Sequence, residues 1–265
     1  MPRLERQIEG LEAALVERMV RQLCTLEPEA TAVLLTGSYA KGTAAVASDL
    51  DLIAITPSPR IGYRTWFEEQ IGDAPLHVSA GATTADAWLA KATSPARWSF
   101  GFPAINAAAY LCTNEETRER LGADPSLRHP AAGPELEDFL DFVLKAKRAA
   151  NSGDELGVRW FAQGAAALAP TLLLPINESR IVCDRRDALD AALTLTVAPA
   201  DYATDLVVCL GLTSASGGDL KAAVARLGSD LLAFLREHAP NVDDQPEIAR
   251  YLTDGTLERH LGLIE

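Results

Sequence analysis

Apolar residues at the start of the chain recur at spacings of three and four: Leu4, Ile8, Leu11, Leu15, Met19 and Leu23. That period places them on one face of a helix, so the pattern predicts an amphipathic helix through the first two dozen residues, lying against a sheet. Three short apolar runs follow, each closed by a turn former: AVLLT at 32–36 before Gly37, LDLIAIT at 50–56 before Pro57, and LHVSA at 76–80 before Gly81. These read as three strands. Between the first two, SYAKGTAAV leaves room for a short helix and a loop. After the third, TTADAWLAKA opens on a threonine cap and reads as a helix.

Near residue 120 the texture changes, because LGADPSLRHPAAGPE concentrates Pro, Gly and Asp without any period. This predicts a linker over 123–134 between a first domain of residues 1–122 and a second of residues 135–265. PELEDFLDFVLKAKRAANSG then begins with Pro and acids in the first turn, and Leu136, Phe139, Leu140, Val143 and Leu144 share one face. Further helices are predicted at about 154–169, 179–196, 200–213, 217–239 and 245–262. The expected fold class is α+β, a small sheet flanked by helices followed by an all-α bundle.

Length agrees with two domains, and 48% hydrophobic with 23% charged residues is the composition of an ordinary globular protein. The net charge is −13 and the densest basic run is the short KAKR at 145–148, which excludes a long nucleic acid as partner. An acidic surface favours small cations and metal ions. Cys24, Cys112, Cys183 and Cys209 never fall into a CxxC spacing and read as reduced core thiols. The four tryptophans, Trp66, Trp88, Trp98 and Trp160, are expected to pack the core or the cleft between the domains rather than stack a base. His129, His238 and His260 share no ligand spacing and are expected at the surface. Charge interrupts the N-terminal apolar residues and no long apolar run occurs, so a signal peptide and a membrane span are not expected. The chain is expected to be cytoplasmic.

Asp49 and Asp51 break the second apolar run, and residues two apart in a strand point to the same side, so the two carboxylates stand together and repel. Such a pair either raises one pKa or calls for a cation, and Mg²⁺ takes oxygen ligands of this kind. About a dozen residues upstream, Gly37 lets the backbone approach a ligand, Ser38 offers a hydroxyl and an amide, and Lys41 with Gly42 follows within a turn. Together these can hold a polyphosphate.

LLTGSYAKGTAAVASDLDLIAI, residues 34–55, resembles the signature of the nucleotidyltransferase superfamily that includes DNA polymerase beta. It is most similar to the aminoglycoside and minimal nucleotidyltransferases, whose GSxARG loop matches GSYAKG with Lys41 in place of Arg. The resemblance implies a mixed sheet, a helical substrate-binding domain after it, and a nucleoside triphosphate, ATP by preference, contacted by Gly37 and Ser38. It further implies Mg²⁺ on Asp49 and Asp51, and transfer of a nucleoside monophosphate to a hydroxyl of a small, cationic acceptor such as an aminoglycoside antibiotic. A protein acceptor, as in antitoxin-type adenylylating enzymes, and a nucleotide-binding protein without transfer are the alternatives.

The family carries a third carboxylate on the next strand, where this chain has His77. A histidine there can be a metal ligand or general base, a spectator, or a mark of lost catalysis. Glu135, Glu137, Asp138 and Asp141 open the first helix of the second half, and Glu137 ranks first among them as an alternative base.

Overall fold

The computed structural model describes residues 4–71 and 74–238. The chain divides into two compact units, one holding the residues up to Ser94 with Ile105–Pro130, the other Pro95–Ala104 with the residues from Ala131 onward.

The first unit runs α1 (Ala13–Leu26), β1 (Ala32–Thr36), α2 (Gly37–Lys41), β2 (Leu50–Ile55), β3 (Arg64–Ile71), β4 (Ala74–Thr83) and α3 (Ala85–Lys91). It continues with β5 (Ala104–Asn106, whose first residue is counted with the second unit), β6 (Ala109–Thr113), α4 (Glu115–Leu121) and β7 (Leu127–His129). Five strands form a mixed sheet in the order β3-β4-β2-β1-β6, in which only β2 and β4 run parallel. Strands β5 and β7 form a separate pair, and β7 lies within residues 123–134. The three apolar runs of the sequence are the three central strands. β3 and β6, which the sequence did not reveal, are the two edges.

Alternation along the central strands separates two faces. Val33, Leu35, Leu50, Leu52, Ala54, Val78 and Ala80 pack with Leu15, Val16, Met19, Val20 and Leu23 of α1. On the opposite face Ala32, Leu34 and Ile55 pack with Trp88 of α3, whose indole N–H donates to the Pro125 carbonyl at 3.0 Å. Helix α1 is shorter than its apolar period predicts. Gly10 takes a φ of +80°, which a continuing helix does not allow, and Ile8 and Leu11 reach the same core from irregular chain. The threonine cap predicted for α3 forms, with the Thr84 hydroxyl accepting from the Ala87 N–H at 3.1 Å.

The second unit is helical: α5 (Leu136–Ser152), α6 (Glu155–Leu173), a 3-10 turn at Leu174–Ile176, α7 (Arg185–Leu193), α8 (Tyr202–Cys209) and α9 (Gly217–His238). Predicted helix ends shift by several residues. The stretch expected at 179–196 starts only at Arg185, because the Asp184 carboxylate caps it by accepting from the Asp187 N–H at 2.9 Å. The helix expected at 245–262, and His260, lie outside the described residues. Helices α5 and α6 meet along small side chains, among them Ala146, Ala149, Ala162, Ala165 and Ala169. The approach is so close that a Cβ on Gly164 would sit 2.6 Å from the Phe142 ring. Trp160 departs from expectation: it is 69% exposed on α6, because it falls on the helix face opposite the alanine seam. Among the described residues no helix is long and apolar enough to cross a membrane.

Helices α8 and α9 are tied by a charge inside the fold. Asp205 is 2% exposed and receives two bonds from Arg226, Nε to Oδ2 at 3.1 Å and Nη2 to Oδ1 at 2.5 Å. Burial pushes the Asp205 carboxyl above its ordinary pKa, and the guanidinium opposes that rise. Arg226→Met should therefore leave a buried carboxylate without its main partner and cost about 2–3 kcal/mol. Urea denaturation followed by circular dichroism measures this; Arg226→Met combined with Asp205→Leu should recover part of the loss.

Candidate active site

Asp51 is the second residue of β2 and Asp49 immediately precedes the strand, so both side chains leave the sheet on the side opposite α1. Three strands meet there. Asp51 lies opposite Thr36 on β1 and opposite Ser79 on β4. His77, two residues before Ser79, shares the same side of β4. Its Nδ1 is 3.8 Å from Asp49 Oδ2, and the Ser79 hydroxyl donates to that same oxygen at 3.4 Å.

The loop after β1 closes on this point. Gly37 has a φ of +68°, and a Cβ there would fall 2.1 Å from Asp51 Oδ2, so glycine is required both for the backbone turn and for the space. From Gly37 the chain enters the single turn of α2, with Ser38 in its first turn and Lys41 at its end, before Gly42 closes it in the left-handed conformation. Loop and carboxylates are thereby one structure.

Electrostatics confirm that these groups sense one another. The Asp51 carboxyl is raised from 3.8 to about 6, first by burial and then by the charge of Asp49, while His77 and Lys41 pull it back. The Tyr39 hydroxyl of α2 is raised as well, by burial and by Asp49. Two neighbouring carboxylates, one of them raised by burial and by the charge of the other, offer the oxygen donors that a hard divalent cation takes. Among the described residues no three His, Cys, Asp or Glu side chains converge to hold a metal. Carboxylate oxygens are the donors that Mg²⁺ takes alongside water and substrate oxygens.

Of the residues singled out in the sequence, Gly37, Ser38, Lys41, Asp49, Asp51 and His77 all lie at this end of the sheet. Glu137 lies elsewhere in the chain, exposed in the first turn of α5 in the second unit. Asp141, also on α5, pairs with Lys145 at 2.5 Å. Ser79 and Tyr63 went unnoticed in the sequence. The alternation of LHVSA already placed Ser79 beside His77, but Tyr63 reaches Ser79 only across the β3 edge, which no apolar run announced.

Residues 16–82 match the family described as nucleotidyltransferase domain, and residues 135–233 match that described as nucleotidyltransferase, substrate binding domain. The chain belongs to the nucleotidyltransferases. A solved structure, a nucleotidyltransferase-like protein from Exiguobacterium sibiricum 255-15, is similar at 13% identity over 84% of this chain and 75% of that one, with a TM-score of 0.37. Among curated proteins none matches. The matched nucleotidyltransferase domain contains the Gly37 loop, both acids and His77, and the matched substrate-binding domain contains Glu137. A nucleoside triphosphate is the substrate that this enzyme class takes.

The raised Asp51 pKa sets a sign for stability. Because the folded value of about 6 exceeds the ordinary 3.8, the native state binds this proton more tightly than the unfolded chain does. In metal-free protein the ionised carboxylate is therefore no burden below pH 3.8 and costs stability increasingly as pH rises through about 6. Asp51→Asn keeps the shape and removes the charge. At pH 7.5 with chelator it should gain about 1 kcal/mol after solvent screening, a rise of about 2–4 °C in Tm. A lower Tm would mean that the carboxylate makes a structural bond that the amide cannot.

Proposed function

We propose that this nucleotidyltransferase moves AMP from ATP to a hydroxyl of a small molecule and releases pyrophosphate, with Mg²⁺ held by Asp49 and Asp51. The observation that carries this reading is the closure of the Gly37 loop against Asp51, where a side chain at residue 37 would collide with Oδ2. A loop built to admit a ligand to its backbone and a carboxylate pair built to take a cation meet at one place. Both features are what a metal-bound triphosphate requires.

Each residue then has a task. The backbone at Gly37 and Ser38, with the Lys41 ammonium, receives the phosphate oxygens. Asp49 and Asp51 bind the cation, which when present neutralises charge growing on the phosphoryl oxygens during in-line displacement. His77, on the same side of the sheet as the acids, is read as the base that takes the acceptor's proton, and Glu137 of the substrate-binding domain is its rival.

A cationic acceptor of the aminoglycoside kind is favoured by the net charge of −13, and its modification would confer resistance to such an antibiotic. All four cysteines are free thiols, which fits the reducing cytoplasm.

Incubation with labelled ATP, Mg²⁺ and a panel of aminoglycosides and other small alcohols tests this reading. Wild type should transfer label and release pyrophosphate, and Asp49→Asn combined with Asp51→Asn should lose at least about a thousandfold, some 4 kcal/mol of transition-state stabilisation. Transfer that survives the double substitution would remove the metal role. His77→Asn against Glu137→Gln, in the same assay across pH, identifies the base: only the true one loses the alkaline plateau of kcat.

A further inference from the structure

Asp49 immediately precedes β2, and 44% of its side chain is exposed. Its Oδ2 nevertheless receives a hydrogen bond from Ser79 Oγ at 3.4 Å. Ser79 is 1% exposed, and its own oxygen accepts from the Tyr63 hydroxyl at 2.7 Å. A serine hydroxyl has one proton to give. Because Tyr63 donates to Ser79, the Ser79 proton is left for Asp49, and the three groups form a chain with one direction.

The elements explain why the chain exists. Ser79 lies across β4 from Thr65 of β3 on one side and Asp51 of β2 on the other, and Tyr63 precedes β3 by one residue, diagonal to Ser79. Tyr63 is 71% exposed, so its ring is not placed there to fill a core. A large apolar ring left in solvent while its hydroxyl is tied to a buried serine is a costly arrangement for structure alone.

We propose that Tyr63 and Ser79 are positioning residues for Asp49. The relay engages Oδ2, also the oxygen 3.8 Å from His77 Nδ1, and so presents Oδ1 to the cation. Hydrogen bonds to the back of a ligating carboxylate fix its rotamer before metal arrives, and bonds in such a chain strengthen one another. The proposal rests on Asp49 and Asp51 being the cation site.

The test uses the full chain without nucleotide and measures Mn²⁺ affinity by electron paramagnetic resonance, with circular dichroism confirming that each variant is folded. Ser79→Ala should weaken Mn²⁺ binding about tenfold or more. Tyr63→Phe, at an exposed position where folding is not at risk, should weaken it about threefold, and should do nothing further in the Ser79→Ala background, since Tyr63 acts only through Ser79. Unchanged affinity in both single variants, or losses that simply add, would overturn the relay while leaving the cation site intact. Undiminished Mn²⁺ binding in Asp49→Asn would instead overturn the cation site, and the relay with it. A role confined to stability would lower Tm without the coupling between the two positions.

Discussion

Burial of the Asp51 carboxylate beside a second one, Asp49, is the constraint on which the acid end of the first unit depends. Two carboxylates can stand side by side at the start of β2 because the other side of that strand, Leu50 and Leu52, is locked into the core beneath α1. The strand cannot turn to separate its charges without exposing those leucines, and the apolar gain at stake is about 2 kcal/mol for each. The Asp51 carboxyl is thereby held near 6, first by its burial and then by the charge of Asp49. A divalent cation at the pair, as proposed above, would lower that carboxyl again.

The surroundings of the acids follow from that one requirement. Residue 37 is glycine because any side chain would strike Asp51. The parallel register of β2 and β4 brings His77 and Ser79 to the acids from a strand more than two dozen residues further on. Neither group adds a third negative charge. His77 pulls the Asp51 carboxyl back down, where another carboxylate would raise it further.

Much of this was legible in the sequence, for a physical reason. The central strands are buried on one side at least, so their period and ends are written in apolar residues, and AVLLT coincides with β1. The Gly-Ser loop and the acid pair were visible because charge and glycine are anomalous beside such runs. Less legible was whatever depends on contact between distant segments. Edge strand β3 carries mixed residues, and so Tyr63 gave no sign of reaching Ser79. Helix α1 begins later than its period suggests, since burial of Ile8 and Leu11 does not require helical backbone. In the second unit apolar periodicity located the helices, yet Trp160, large and aromatic, proved to be on the outer face.

The proton on Asp51 reports on the proposed cation site, because burial and the neighbouring charge of Asp49 raise that carboxyl and a bound cation would lower it. Carbon-13 NMR titration of the Asp51 carboxyl in metal-free protein should give a pKa of about 6, and saturating Mg²⁺ should move it well below that value. An ordinary carboxyl near 3.8 in the metal-free protein, or one that Mg²⁺ leaves where it was, would contradict the account.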